Sequence, residues 1–231
     1  MWKTCPNFKK YECNAQGEAR RKDGEPMEIH LISCNKKPSR KYRSLIKSPW
    51  GHIYRQVFRA FGPPNPDPKR YTVIDHIDNN PRNDNIKNLR WSCKPLNALN
   101  TDDDQSKGWT RTPRPNPYKA HIKWMGQVTS LGRYKTKEEA TQVYKEIKAW
   151  LQVAYRKHEY QDKCLVWAWR CERYLRMYES GDKSFWTQRN RIATMFNMYL
   201  IKTGLMTKKE RGISEDLWPA KIRQYLQICR V

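Results

Sequence analysis

The seven residues "GPPNPDP" (Gly62–Pro68) contain four prolines. Each fixes φ, offers no amide hydrogen, and bars the residue before it from helical geometry. No helix or central strand can run through such a stretch, so the chain on either side must be read as separate elements. Before it, "GHIYRQVFRAF" (Gly51–Phe61) sets Ile53, Tyr54, Val57, Phe58 and Phe61 on one face of a helix. After it, "YTVID" (Tyr71–Asp75) is a β-branched strand and "LRWSC" (Leu89–Cys93) a second. An Asn-rich loop joins them, so the pair reads as a hairpin with a long loop. "KPLNALNTDDD" (Lys94–Asp104) then reads as a helix with Pro95 near its first turn.

The same reasoning divides the rest of the chain. Residues 1–48 read as short strands, with a turn at Gly17 and an alternation in "MEIHLISC" that puts Ile29, Leu31 and Ser33 on one face. "YKAHIKWMG" and "QVTSLGRY" read as strands around Met125-Gly126. "TKEEATQVYKEIKAWLQVAYRK" is a helix with a Thr136/Glu139 capping box and an apolar stripe of Ala140, Val143, Tyr144, Ile147, Leu151 and Ala154. Beyond residue 160 three helical runs follow, "CLVWAWRCERYLRMYE", "FWTQRNRIATMFNMYLIKTG" with Gly204 as its C-cap, and "SEDLWPAKIRQYLQICRV". "TDDDQS" (Thr101–Ser106) reads as a linker, and "VWAW" with Trp186 as core anchors.

Charge narrows the class of partner. The chain carries 46 Lys and Arg against 23 Asp and Glu, a formal +23. Residues 1–106 hold 20 basic and 12 acidic side chains, 107–159 hold 12 and 4, and 160–231 hold 14 and 7. An excess spread over every segment points to a polyanion, foremost nucleic acid. The opening "MWKTCPNFKK" lacks an apolar core, so no signal peptide is expected, and no run approaches 18 apolar residues. Seven cysteines without a C-x-x-C read as free thiols in a reducing compartment, with zinc weakly supported.

Chemistry concentrates at Asp75-His76, at a strand end where the turning chain lets both side chains reach one site. Asp75 supplies a hard oxygen for a divalent cation, and His76 a base that titrates near neutrality. Asn97, on the following helix, is available as a third group. A carboxylate and an amide oxygen leave most of a Mg²⁺ shell to water and phosphate. Asn79, Asn80, Asn83 and Asn85 read as turn formers. His52 either orients a phosphate or bonds within the core; His30, His121 and His158 are assigned no catalytic part.

The residues "DHIDNN" (Asp75–Asn80), "NLRW" (Asn88–Trp91) and Asn97 resemble the HNH endonucleases, whose fold is a ββα-metal hairpin and helix. Asn97 stands where many members carry His; the phage intron-encoded branch often has Asn there as well. The resemblance implies that Asp75 and Asn97 bind Mg²⁺ or Mn²⁺, that His76 activates water, and that Asn88 braces the loop. "WKTCPNFKKYECNAQGEAR" and "HIYRQVFRAFGPPNP" resemble the strand-rich module ahead of such motifs in phage and intron homing endonucleases. "KGWTRTPRPNPYKAHIKWMGQVTSLGRYKTKEEATQVYKEIKAW" resembles the Apetala-two/ethylene-response-factor DNA-binding domain, a three-stranded sheet backed by a helix, through Gly108, "YKAHI", "LGRY" and "TKEEA". His121 and Ser130 stand where the plant domains usually have Glu and Trp, so base preference does not carry over. The residues expected on DNA are Arg111, Arg114, Lys119, His121, Lys123 and Arg133.

The expected class is therefore α+β. Its parts are a strand-rich module (1–48), a ββα-metal nuclease (49–105), a three-stranded-sheet-plus-helix DNA-binding domain (107–159) and a helical C-terminal segment (160–231). The expected activity is a site-specific, homing-type DNA endonuclease on double-stranded DNA, hydrolysing phosphodiesters with one divalent ion and acting in the cytoplasm of a host cell. The rival is a non-catalytic nucleic-acid-binding protein, a regulator or ribonucleoprotein component descended from such a nuclease. A restriction or toxin nuclease needs no long sequence reader and is disfavoured by residues 107–159. Under either leading reading, DNA affinity measured between 50 and 200 mM salt should fall by about 10³–10⁵, as expected for about 6–10 neutralised phosphates. A flat salt dependence would remove nucleic acid as the partner.

Overall fold

The computed structural model describes residues 1–34, 37–100, 108–181 and 218–231. The protein is α+β, with four small antiparallel sheets and five α-helices among the described residues. It divides into two compact units, Met1–Ser106 and Lys107–Val231. No helix among the described residues is long and apolar enough to cross a membrane.

In the first unit, β1 (Trp2–Cys5), β2 (Phe8–Asn14) and β3 (Ala19–Arg21) form one sheet, and β4 (His30–Cys34) pairs with β5 (Lys37–Ser44). A 3-10 turn at Pro49–Gly51 leads into α1 (Ile53–Phe61). Its periodic face is buried as its spacing requires: Ile53, Tyr54, Val57 and Phe58 pack with Cys5, Cys13, Leu45 and Leu89 in one core, and Phe61 lies partly buried beside it. That core draws on β1 and β2 as well as on the elements after residue 49, so the strand-rich module and the hairpin are halves of one hydrophobic body. The amide of Gly62 donates to Phe58 O at 2.8 Å, and the prolines end the helix there. Trp91 then fastens the proline stretch: its ring stands edge-on to Phe58 at 5.1 Å, and its Nε1 donates to Pro63 O at 3.0 Å.

The face given to Ile29, Leu31 and Ser33 is divided: Ile29, just ahead of β4, packs against the core, whereas Leu31 is 48% exposed. Tyr42, paired across the hairpin with Ile32, also packs against the core.

The hairpin joins β6 (Val73–His76) to β7 (Leu89–Ser92) with register Val73↔Ser92, Ile74↔Trp91, Asp75↔Arg90 and His76↔Leu89. α2 (Lys94–Leu99) follows, shorter than its sequence pattern extends; its turn ends as Asn100 N donates to Leu96 O.

In the second unit, β8 (Trp109–Arg111), β9 (Tyr118–Trp124) and β10 (Gln127–Tyr134) make a meander backed by α3 (Lys137–Lys157). Ala120, Ile122 and Trp124 are buried, as is the whole expected stripe of α3. The capping box is formed: Glu139 N donates to Thr136 Oγ1 at 3.1 Å, and Thr136 N to Glu139 Oε2 at 3.3 Å. Gly108 has φ +62, and a Cβ there would lie inside the Tyr144 ring, so only glycine lets α3 close over the sheet edge. α4 (Leu165–Glu179) packs on α3, and α5 (Trp218–Cys229) on α4. Trp169 of "VWAW" is buried, while Trp167 is half-buried under the Arg170 guanidinium at 4.7 Å.

Among the residues whose side chains are described, six cysteines are free and buried. Cys164 meets Cys229 and not its sequence neighbour Cys171; the bond with Cys229 holds the Cys164 thiol below its usual range, while burial pushes the Cys171 thiol up. The linker at Thr101–Ser106, Trp186 and the helix read at residues 185–204 fall outside the described residues.

Because Ile53 is fully buried, Ile53→Ala should cost about 2–5 kcal/mol in urea unfolding. Val153→Ala, at a position 55% exposed, should stay within about 0.5 kcal/mol. Equal effects would contradict the core described above.

Candidate active site

The strand end at residues 75–76 opens into a cleft of about 450 Å³. Asp75, His76 and Asn97 all line it, with Arg40, Arg55 and Arg59 and the aromatic side chains of Tyr42, Tyr54 and Trp91. Asp75 and His76 are each 2% exposed, whereas Asn97 projects from α2 as an exposed amide. Arg55 and Arg59 are one turn apart on α1, so a helical repeat sets two cations along one wall.

Asp75 is held by its cross-strand partner. Arg90 donates from Nε and Nη2 to Asp75 Oδ2 at 3.1 and 3.0 Å. Asn100 Nδ2 reaches both carboxylate oxygens at 3.2 Å and donates to His76 O at 2.6 Å. Most of these bonds fall on Oδ2, and a carboxylate offers about four lone-pair sites. Oδ1 thus keeps acceptor capacity. That oxygen and the Asn97 amide form a donor set that fits a hard cation retaining much of its water, as Mg²⁺ or Mn²⁺ does. Among the described residues no group of three or more His, Cys, Asp or Glu is placed to enclose a metal.

His76 sits against Tyr54 at 4.9 Å and Tyr42 at 6.0 Å between ring centroids. Its Nε2 lies 3.2 Å from Oδ1 of Asp84, which is 1% exposed. The other oxygen of Asp84 is 3.4 Å from Arg43 Nη1, and Arg43 donates to Gly17 O at 2.9 Å. Sequence reasoning missed Asp84, Asn100 and Arg90. Only the Asp75↔Arg90 pair carried a signal, opposite charges at positions that a register for the hairpin would have set face to face.

The loop between the strands is knit around Asp78. Its carboxylate accepts from Asn80 N at 2.8 Å, Asn83 Nδ2 at 2.7 Å and Asn88 Nδ2 at 2.8 Å. Burial pushes its carboxyl up, but these bonds outweigh that and hold it below the usual range. Asn88 also donates to Asn83 O at 2.8 Å and accepts from Asp78 N at 3.0 Å, so its amide spans the loop. Asn79 takes φ +60, the left-handed conformation that Asn tolerates, and Asn85 Oδ1 accepts from Lys87 N at 3.0 Å.

In the second unit, β9 alternation sends Lys119, His121 and Lys123 to the face away from the buried Ala120, Ile122 and Trp124, and Arg133 pairs with Lys119 in that row. Arg111 pairs with Tyr118, which gives it the opposite parity; with Arg114 it lines a separate pocket in the loop at residues 112–117.

Protein 3.8 of Escherichia phage T7 is 34% identical to this chain over 102 residues, 41% of the chain and 73% of that protein. An uncharacterised HNH endonuclease of Acanthamoeba polyphaga mimivirus is 32% identical over 71 residues, 31% of the chain and 38% of that protein. No family model and no solved structure matches.

His52 is 6% exposed, and among the described residues its Nδ1 has no hydrogen-bond partner. Burial, then the charges of Arg55 and His76, lowers it to about 4. The unfolded chain therefore takes up a proton below about pH 6.5 that the folded chain refuses until about pH 4, so stability falls as pH drops through that window and levels off below it. Between pH 7 and 4.5, this side chain should account for about 2–3 kcal/mol of the loss. Urea unfolding of the parent and His52→Gln at both pH values checks this; parallel losses would show that His52 is not buried neutral.

Proposed function

We propose that this chain, which belongs to the family of protein 3.8 of Escherichia phage T7, is a DNA endonuclease that hydrolyses phosphodiester bonds in the cleft of Asp75, His76 and Asn97. The observation that carries the reading is the convergence of those three side chains on one cleft walled by Arg40, Arg55 and Arg59. A mimivirus relative named as an HNH endonuclease supports it, as does a net charge of +23.

In this mechanism the arginines bind the phosphates on either side of the scissile bond and orient its phosphorus over His76. His76 takes a proton from water, and the water oxygen attacks the phosphorus as the bond to the 3′ oxygen breaks. The departing oxygen gains a proton, leaving 5′-phosphate and 3′-hydroxyl ends. Asp75 and Asn97 would hold Mg²⁺ or Mn²⁺, which supplies positive charge to the phosphate oxygens in the transition state. One such cleft per chain cuts one strand, so a single copy nicks. The sheet row of Lys119, His121, Lys123 and Arg133 lies on DNA as a reader of the Apetala-two type, with Arg111 and Arg114 contacting the flanking backbone. That reader gives the nuclease the site preference of a homing enzyme.

A second reading, a nucleic-acid-binding protein without catalysis, is favoured by one feature. The carboxylate of Asp75 already has Arg90 as a counter-ion and Asn100 as a donor, so it is satisfied without a cation.

Supercoiled plasmid in Mg²⁺ separates the two. The parent should produce nicked circles, and chelator should stop it. His76→Ala should lower the rate by about 10²–10⁴ with DNA affinity unchanged, and Asp75→Ala should abolish both cleavage and calorimetric metal uptake. Asn97→His should retain cleavage and move preference toward Mn²⁺, Co²⁺ or Ni²⁺. Tight DNA binding with no cleavage of any substrate in any divalent metal would establish the second reading.

A further inference from the structure

We infer that Asp84 is the positioning residue of His76, and that the strand-rich half of the first unit holds Asp84 in place. The inference rests on the nuclease reading for its kinetic consequence, but not for its geometry.

Both partners are buried, with His76 2% and Asp84 1% exposed, and Asp84 Oδ1 lies 3.2 Å from His76 Nε2. An ionised carboxylate only accepts hydrogen bonds, so the ring nitrogen facing it must carry the hydrogen. In the neutral ring Nε2 is then the donor and Nδ1 carries the lone pair. A base needs one defined lone pair aimed at one place, and a carboxylate on the far nitrogen fixes both the tautomer and the rotation of the ring. The rings of Tyr54 and Tyr42 flank the imidazole and restrict the same rotation.

Asp84 is itself located from three directions. Arg43 of β5 balances its buried charge from 3.4 Å. The same guanidinium donates to Gly17 O at 2.9 Å, in the turn between β2 and β3. Two residues on from Asp84, Ile86 N donates to Ala15 O at 2.9 Å. Gly17, at φ +87, presses so close that a Cβ would stand 2.6 Å from the Asp84 carbonyl carbon. The turn at residues 14–18 is thus a rigid stop against which the Asp84 segment is set.

The test uses the full chain, ¹⁵N-labelled on histidine. At about pH 8, where an ordinary histidine is neutral, long-range ¹H–¹⁵N correlation should show the His76 ring protonated at Nε2 in the parent. In Asp84→Asn the His76 signals should become a mixture of tautomers or move to the Nδ1-protonated pattern. In plasmid nicking, Asp84→Asn should lower kcat about 10–100-fold, the range for losing a carboxylate behind a functional histidine, with KM for DNA unchanged. An Nδ1-protonated ring in the parent overturns the inference without any variant. So does a folded Asp84→Asn protein with parental kcat, or one whose loss lies in KM. If the parent shows the Nε2 tautomer yet cuts no DNA, the positioning stands and the nuclease reading falls.

Discussion

The first unit depends on the burial of one helix face. α1 is its central helix, and Ile53 and Val57 reach complete burial only because β1, β2, β5 and β7 all lean on them. Burying side chains of this size is worth about 1.5–3 kcal/mol each, and none of those small sheets has an inner face large enough to stand alone. The helix that positions the hairpin therefore also organises the strands ahead of it. Its outer flank carries Arg55 and Arg59 into the cleft, so one nine-residue helix supplies the core on one side and cations on the other.

The elements most legible in the sequence were those whose signal is local. The α1 stripe, the proline stop and the α3 capping box are each written within a dozen or so residues, and each appears where its pattern placed it. The Asp75-His76 strand end was legible for the same reason, as was the turn-forming use of Asn79 and Asn85. What escaped depends on partners distant in sequence. That Ile29 packs inward while Leu31 faces out was not legible, because the packing of Tyr42 on β5 is part of what decides it. Asp84 looked like one more polar residue in an Asn-rich loop; its importance lies in meeting Arg43 and His76 in a buried place, and no periodicity records that. Asn100 was hidden similarly, in a stretch that read as continuing helix.

The two units use cations differently. In the first, guanidinium groups line a concave space beside a buried carboxylate. In the second, the basic side chains of β9 and β10 form a row on one face of a small sheet. The even spread of charge along the chain gave no hint of this division. It follows from where strands alternate and where a helix turns.

The hydrogen bond from Ile86 to Ala15 has a kinetic side. It joins residues far apart in sequence, and the chain entropy lost in closing so long a loop must be met before the contact returns anything. The β6–β7 hairpin is local in sequence, whereas the 14–18 turn meets it through packing that also involves β1, β2 and α1. A half-folded or locally opened molecule would then hold Asp75 and His76 on the same strand, with the imidazole free to spin. Because orientation of the ring depends on that non-local contact, hydrogen exchange at the Ile86 amide would report it more faithfully than exchange in the hairpin's own ladder.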